Sequence, residues 1–160
     1  MPGVVRTWAP KGQTPILHHK LTRDHLSVIS AITPAGDLYL QVRETAFDSG
    51  GVIAFLDELQ QQITGKLLII WDGATIHRSK LLKQYLAEGA AARLHLERLP
   101  GYAPELNPDE GVWHYLKHVE LGNLCCRDLP HLWQEVCAAA ERLRQKPQIV
   151  TGFFEQVGFL

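Results

Sequence analysis

Leu67-Leu68-Ile69-Ile70-Trp71-Asp72-Gly73 decides the fold class of this chain. Its apolar residues run without interruption and stop at an acid-glycine pair. A short continuous apolar run closed by a turn suits a strand buried on both faces of a sheet. Upstream, Val52, Ile53, Phe55, Leu56, Leu59 and Ile63 recur at helical spacing after Ser49-Gly50-Gly51. Further upstream, residues 25–33 are rich in β-branched and apolar side chains. Leu38 to Arg43 alternates apolar Leu38, Leu40 and Val42 with Tyr39, Gln41 and Arg43. The Pro34-Ala35-Gly36-Asp37 turn between them predicts a β-hairpin.

Downstream of Asp72 the alternation continues. A helix is expected from about Ser79 to Glu88. A strand follows over Arg93 to Leu99, closed by Pro100, and a helix runs from near Pro108 to about His118. An amphipathic helix then carries Leu129, Leu132, Trp133, Val136, Ala140 and Leu143, and a short helical turn spans about Ile149 to Val157. The order β-β-α-β-α-β-α-α predicts an α/β sandwich around a mixed sheet. No repeat, low-complexity tract or long linker divides residues 1–160, so one domain is expected.

Composition narrows the class. Hydrophobic residues make up 46% and charged residues 21%, an ordinary balance for a soluble domain. No apolar run is long enough to span a bilayer, and no signal segment opens the chain. Cys125, Cys126 and Cys137 form neither a disulfide framework nor a CxxC zinc site, which suits reduced thiols in the cytoplasm. The net charge of −1 excludes a generally basic nucleic-acid binder. Any phosphate affinity must come from a local patch, a partner chain or another segment.

Two acids sit where chemistry is expected. Asp72 ends the apolar strand, and open α/β sheets place ligand sites beyond the carboxyl ends of strands. The plain alternative is an Asp-Gly turn. Glu110 follows the stiff lead-in of Pro100, Pro104 and Pro108. Its plain alternative is a capping box, with Asn107 as N-cap, Pro108 in the first helical position and Glu110 in the third. A strand end and a helix start on one sheet edge would bring both carboxylates to one crevice. Two or three such acids could hold a pair of Mg²⁺ ions roughly 4 Å apart for in-line phosphoryl displacement. No P-loop and no HExxH motif offers a competing chemistry.

The tract Trp71-Asp72-Gly73-Ala74-Thr75-Ile76-His77-Arg78-Ser79 resembles the "DNA-x-x-H" segment of mariner-like DDE transposases, in their bacterial insertion-sequence branch. Residues 99–113, from Leu99-Pro100-Gly101-Tyr102 through Asn107-Pro108-Asp109-Glu110 to Trp113, resemble that family's "LPPYSPxLNPxExxW…K" block, with Lys117 as its lysine. Trp8 to Pro15 resembles the tract after the family's first strand. The resemblance implies a ribonuclease-H-like fold, a three-carboxylate site and Mg²⁺ or Mn²⁺ as cofactor. It makes Asp72 the second acid and Glu110 the third, both catalytic and both metal ligands. Asp109 is set aside because the motif places the acid two residues after Pro108. His77, Arg78, Asn107 and Lys117 become DNA-binding or site-adjacent residues. His77 reads equally as a loop histidine, and Arg78 and Lys117 as solvated surface cations. Trp113 is read as core packing.

In that family the first acid ends a strand just before the Trp8 tract. The resemblance therefore implies that residues 1–160 lack that acid, the first central strand and the helix-turn-helix DNA-reading domains. Asp24, Asp37 and Asp48 lie elsewhere and are poor replacements. The expected function is DNA transposition by cleavage of transposon ends and strand transfer, incomplete in this chain alone. The expected partners are transposon-end and target DNA, with a further copy or an upstream fragment completing the site, and no membrane. The vacant strand position would be filled by Val4-Val5-Arg6-Thr7, a partner chain or that fragment. The alternative is an inactive remnant or binding module of the same fold.

Overall fold

The computed structural model describes residues 5–13, 15–16, 25–101 and 103–160. Val4, Thr14, Asp24 and Tyr102 of the motifs above lie outside them. The elements are β1 (Ser27–Ile32), β2 (Leu38–Arg43), α1 (Ser49–Gln62), β3 (Leu67–Trp71), α2 (Lys80–Ala87), β4 (Leu94–Arg98), α3 (Asp109–Tyr115), α4 (Leu129–Arg144) and α5 (Pro147–Gln156). Short 3-10 turns cover Thr75–Arg78, Ala90–Ala92 and Pro104–Leu106, and a π turn covers Leu116–Glu120. The predicted element order holds, and the chain is mixed α/β. It divides into two compact units, residues 1–44 with 108–160, and residues 45–107.

In the first unit, β1 and β2 pair antiparallel with Ser27 opposite Arg43 and Ile32 opposite Leu38. The turn between them is locked by the Thr33 hydroxyl, which donates to Asp37 Oδ2 at 2.7 Å and accepts from the Asp37 N–H at 3.2 Å. Gly36 has φ +97°, and a Cβ there would lie 2.6 Å from Pro147 Cβ. Only glycine meets both conditions. Period-two alternation points Val28, Ile32, Leu40 and Val42 at a core of Leu38, Val112, Leu116, Val136, Ala139, Ala140, Leu143, Val150, Phe153 and Phe154. Asp128 caps α4 by accepting from the His131 N–H at 2.8 Å. Arg144 ties that helix to β2 by donating from Nε to the Leu38 carbonyl at 2.9 Å.

Gly111 marks where α3 meets α5. A Cβ there would lie 2.5 Å from Phe153 Cδ1 and 2.6 Å from Cγ, on a ring root buried in the core. Helix propensity alone favours Gly111→Ala by about 1 kcal/mol. Overpacking costs about 1–3 kcal/mol. The variant is therefore expected to unfold at lower urea concentration than wild type, against the propensity.

Glu120 accepts from Arg142 Nε at 2.5 Å and from Lys146 Nζ at 3.0 Å, with its side chain only 8% exposed. Burial pushes its carboxyl up, but the bonds and charges of Arg142 and Lys146 outweigh that and hold it below the ordinary glutamate range. A lowered folded-state pKa contributes stability above the unfolded value, lost as pH falls through the folded one. Stability should thus drop on acidification below the usual glutamate pKa, and Glu120→Gln should flatten that slope in a pH series of urea melts.

In the second unit, β3 and β4 pair parallel, with Leu67 opposite Leu94 and Trp71 opposite Arg98. The connection through α2 makes this a βαβ unit. Asp48 caps α1 by accepting from the Gly51 N–H at 2.8 Å. Arg93 closes the other end, donating to the carbonyls of Gln60, Ile63 and Gly65 at 2.9, 2.7 and 3.0 Å. Val52, Phe55, Leu56, Leu59, Leu82, Leu94 and Leu99 are buried.

Several expectations are corrected. β3 is not buried on both faces: Leu68 is 60% and Ile70 43% exposed, beside the exposed His95 and Glu97 of β4. That face of the two-stranded sheet therefore leaves apolar side chains partly exposed. The strands form two separate pairs, and among the described residues no further strand joins either. Val5 to Thr7 form no strand. Instead the Asn123 side chain brackets Val5, accepting its N–H and donating to its carbonyl, both at 2.9 Å. The helix expected to about His118 is α-helical only to Tyr115. The Leu121 N–H then bonds to the Leu116 carbonyl at 2.9 Å in a wider turn.

Candidate active site

The parallel pairing of β3 and β4 sets Asp72 immediately beyond the carboxyl end of β3. The Leu99 N–H bonds to the Trp71 carbonyl at 2.9 Å and carries the ladder up to that point. The chain then leaves the sheet in a tight loop. The Ala74 N–H donates to Asp72 Oδ1 at 2.9 Å, an Asx-type turn, so the plain turn reading of Asp72 is partly true. His77 Nδ1 lies 3.0 Å from the same oxygen and 3.3 Å from the Asp72 carbonyl. Its ring stacks on Trp71 at 4.2 Å between centroids and 3° between planes. The Ser49 hydroxyl donates to the Ile76 carbonyl at 3.4 Å, holding the 3-10 turn against the start of α1. Asp72 keeps 63% of its side chain exposed, whereas His77 keeps 12%. Arg78 folds back, donating from a guanidinium nitrogen to the Gly73 carbonyl at 3.4 Å.

Glu110 stands in the first turn of α3 and is exposed. The expected capping box is not formed. The Asn107 N–H donates to the Pro104 carbonyl at 2.9 Å, so it is not left for the Glu110 side chain that would complete the box. The backbone there is nonetheless as expected, extended at Asn107 and helical at Pro108. Asp109 turns inward. Ser30 Oγ lies 2.9 and 2.7 Å from its two oxygens, and the Trp113 indole N–H donates to it as well. Burial pushes the Asp109 carboxyl up to about 6, the two hydrogen bonds pull it down, and the Glu110 charge raises it further. Trp113 is therefore a hydrogen-bonding anchor as well as an apolar body.

Sequence reasoning missed Ser30. Its signal was present: Ser30 is the polar residue between Val28 and Ile32 on the core-facing side of β1. Lys117 is exposed within the π turn that follows α3. Asp72 belongs to the second unit and Glu110 to the first. Among the described residues, no three His, Cys, Asp or Glu side chains form a cluster able to hold a metal ion. The donors on offer are carboxylate oxygens, the ligand type of hard divalent cations rather than of thiolate zinc sites.

The sequence profile of DDE superfamily endonucleases matches residues 3–127, which include Asp72, Glu110 and both motif blocks. The chain belongs to the DDE superfamily endonucleases. Catalysis in this family generally depends on divalent metal ions. No curated protein matches the sequence. A chain in the crystal structure of the Mos1 strand transfer complex has a similar fold, with a TM-score of 0.58 at 11% identity. The match covers 99% of this DDE endonuclease chain and 51% of that chain, so this chain spans about half its length. At that identity the likeness establishes the ribonuclease-H-like fold of the DDE endonuclease. No helix among its described residues is long and apolar enough to cross a membrane.

Proposed function

We propose that this chain is the part of a DNA transposase catalytic domain that carries two metal-binding acids, Asp72 and Glu110. The observation that carries the reading is an exposed aspartate at the carboxyl end of a parallel strand, inside the matched family segment. The Mos1 relative supports the direction, because that protein was crystallised as a strand transfer complex. The reaction would be Mg²⁺- or Mn²⁺-dependent cleavage of transposon-end DNA, followed by transfer of the 3′ end to target DNA in the cytoplasm. The bound cations would supply activation of a water or 3′-hydroxyl and stabilisation of the leaving oxygen.

The chain's own residues would do the rest. Asp72 and Glu110 would hold the cations through hard oxygen donors. Arg78 and Lys117 would contact backbone phosphate, and Asn107 would sit beside the site. A further carboxylate would come from an upstream fragment or a second copy.

Replacing the metal by Fe²⁺ and generating hydroxyl radicals cuts a backbone beside its metal site. Cuts beside both residue 72 and residue 110 are the expected result. Cuts beside one of them alone would refute a shared cation. The DNA reaction is checked with end-containing duplexes, using the chain by itself and together with the protein segment encoded immediately upstream. No Mg²⁺-dependent nicking in either mixture would count against the proposal.

A further inference from the structure

Beyond the two acids, the loop after β3 holds a histidine that the proposed reaction does not use. His77 is nearly buried, at 12% side-chain exposure, and is fixed from two directions. Trp71 stacks flat on its ring at 4.2 Å, and the 3-10 turn Thr75–Arg78 is closed by the His77 N–H bonding to the Ala74 carbonyl at 3.1 Å. Its Nδ1 faces two oxygens of Asp72, Oδ1 at 3.0 Å and the backbone carbonyl at 3.3 Å. Both are acceptors, so Nδ1 must carry the proton there, since a lone pair would meet two lone pairs.

Oδ1 of Asp72 thus accepts from the Ala74 N–H and lies 3.0 Å from His77 Nδ1, whose hydrogen bond runs to the Asp72 carbonyl. No described residue hydrogen-bonds to Oδ2. The Ala74 bond and the His77 ring beside it hold Oδ1 toward the loop and leave the other oxygen open to an incoming cation.

We infer that His77 is a positioning residue for Asp72: stacked on Trp71, its Nδ1–H binds the Asp72 carbonyl beside Oδ1, and the loop so held presents Oδ2 as the oxygen that meets a divalent cation. The inference rests on the reading of Asp72 as a metal carboxylate. It extends that reading by assigning a tautomer, a donor and the oxygen left for the metal. Groups that orient a metal ligand typically alter affinity about 10–100-fold when removed.

The first test needs no variant. ¹⁵N shifts of the His77 imidazole in the full chain should show a proton on Nδ1. A bare Nδ1, with the proton on Nε2 alone, or an averaged signal would overturn the proposal.

The second test is Mn²⁺ titration followed by electron paramagnetic resonance. Asn can place an N–H donor where Nδ1 stands, whereas Gln matches Nε2. His77→Ala and His77→Gln should weaken Mn²⁺ binding about tenfold or more, and His77→Asn should restore most of it. Equal loss in all three variants would mean the ring serves only packing, and would refute the donor role. Mn²⁺ binding lost in Asp72→Ala but unchanged in His77→Ala would sink this inference and leave the metal reading standing. No Mn²⁺ binding by wild type, despite the Nδ1–H tautomer, would instead sink the metal reading.

Discussion

Asp72→Asn should abolish metal-dependent DNA cleavage while leaving the fold intact. Asn is close in shape to Asp. Its side-chain oxygen still accepts from the Ala74 N–H, and the His77 bond to the residue 72 carbonyl is untouched, so the loop keeps its shape. Only the negative charge is lost. Metal ions at phosphoryl-transfer sites contribute several kcal/mol to transition-state stabilisation, so a loss of about 4 kcal/mol is a drop of about 10³-fold. Glu110→Gln should show a similar drop, because Glu110 is exposed at the start of α3 and caps nothing. Its melting temperature should change little, since one exposed charge near a helix N-terminus is worth about 0.3–1 kcal/mol. Cleavage rates are to be read on the complemented protein, beside melting curves of the same variants. Activity within tenfold of wild type for either variant would remove that residue from the catalytic set.

Leu143→Ala should be the most destabilising single truncation in the first unit. Leu143 is 0% exposed and packs within the cluster of Val112, Leu116, Val136 and Phe153. Leu→Ala at such a site loses transfer free energy and leaves a cavity, costing about 3–5 kcal/mol. Leu68→Ala is the control. Leu68 is 60% exposed, and surface changes usually stay within about 0.5 kcal/mol. Urea unfolding of the two variants separates the cases. Equal losses would show that the Leu68 face of β3 is covered in solution.

That pair of leucines shows where sequence reading fails. Leu68 lies in the most apolar run of the chain, yet its face of the sheet is open. Leu143 lies in a helix among Arg142, Arg144 and Glu141, yet it is fully buried. Periodicity identified the element in both cases. Which face finds a neighbour depends on packing between elements that local pattern does not encode. The caps divide the same way. Ser49-Gly50-Gly51 was legible as the start of α1, while Asp48, which the motifs mark only as a poor replacement for the first acid, is its cap. At Asn107 the extended backbone was legible, but the reciprocal bond from Glu110 was not made, because the Pro104–Leu106 turn had already taken the Asn107 N–H.

The candidate site was legible in its residue types and not in its interactions. Asp72 and Glu110 were marked as candidates by a strand end and a proline-stiffened helix start. Asp109 and Glu110 are adjacent and chemically alike, and the motif spacing alone preferred Glu110. The structure distinguishes them by environment: Asp109 is held by Ser30, 79 positions away in sequence, and by Trp113, while Glu110 is exposed.

By itself the amino-acid sequence determined the element order and the family and marked Asp72 and Glu110 as candidate acids, because hydrophobic period, proline placement and motif spacing are local properties of the chain. Only the tertiary structure decided which face of β3 is bare, that Asp109 turns inward, and that His77 is clamped between Trp71 and Asp72. Each of these depends on which atoms meet after folding, and burial and hydrogen-bond pairing are settled by those meetings rather than by neighbours in sequence.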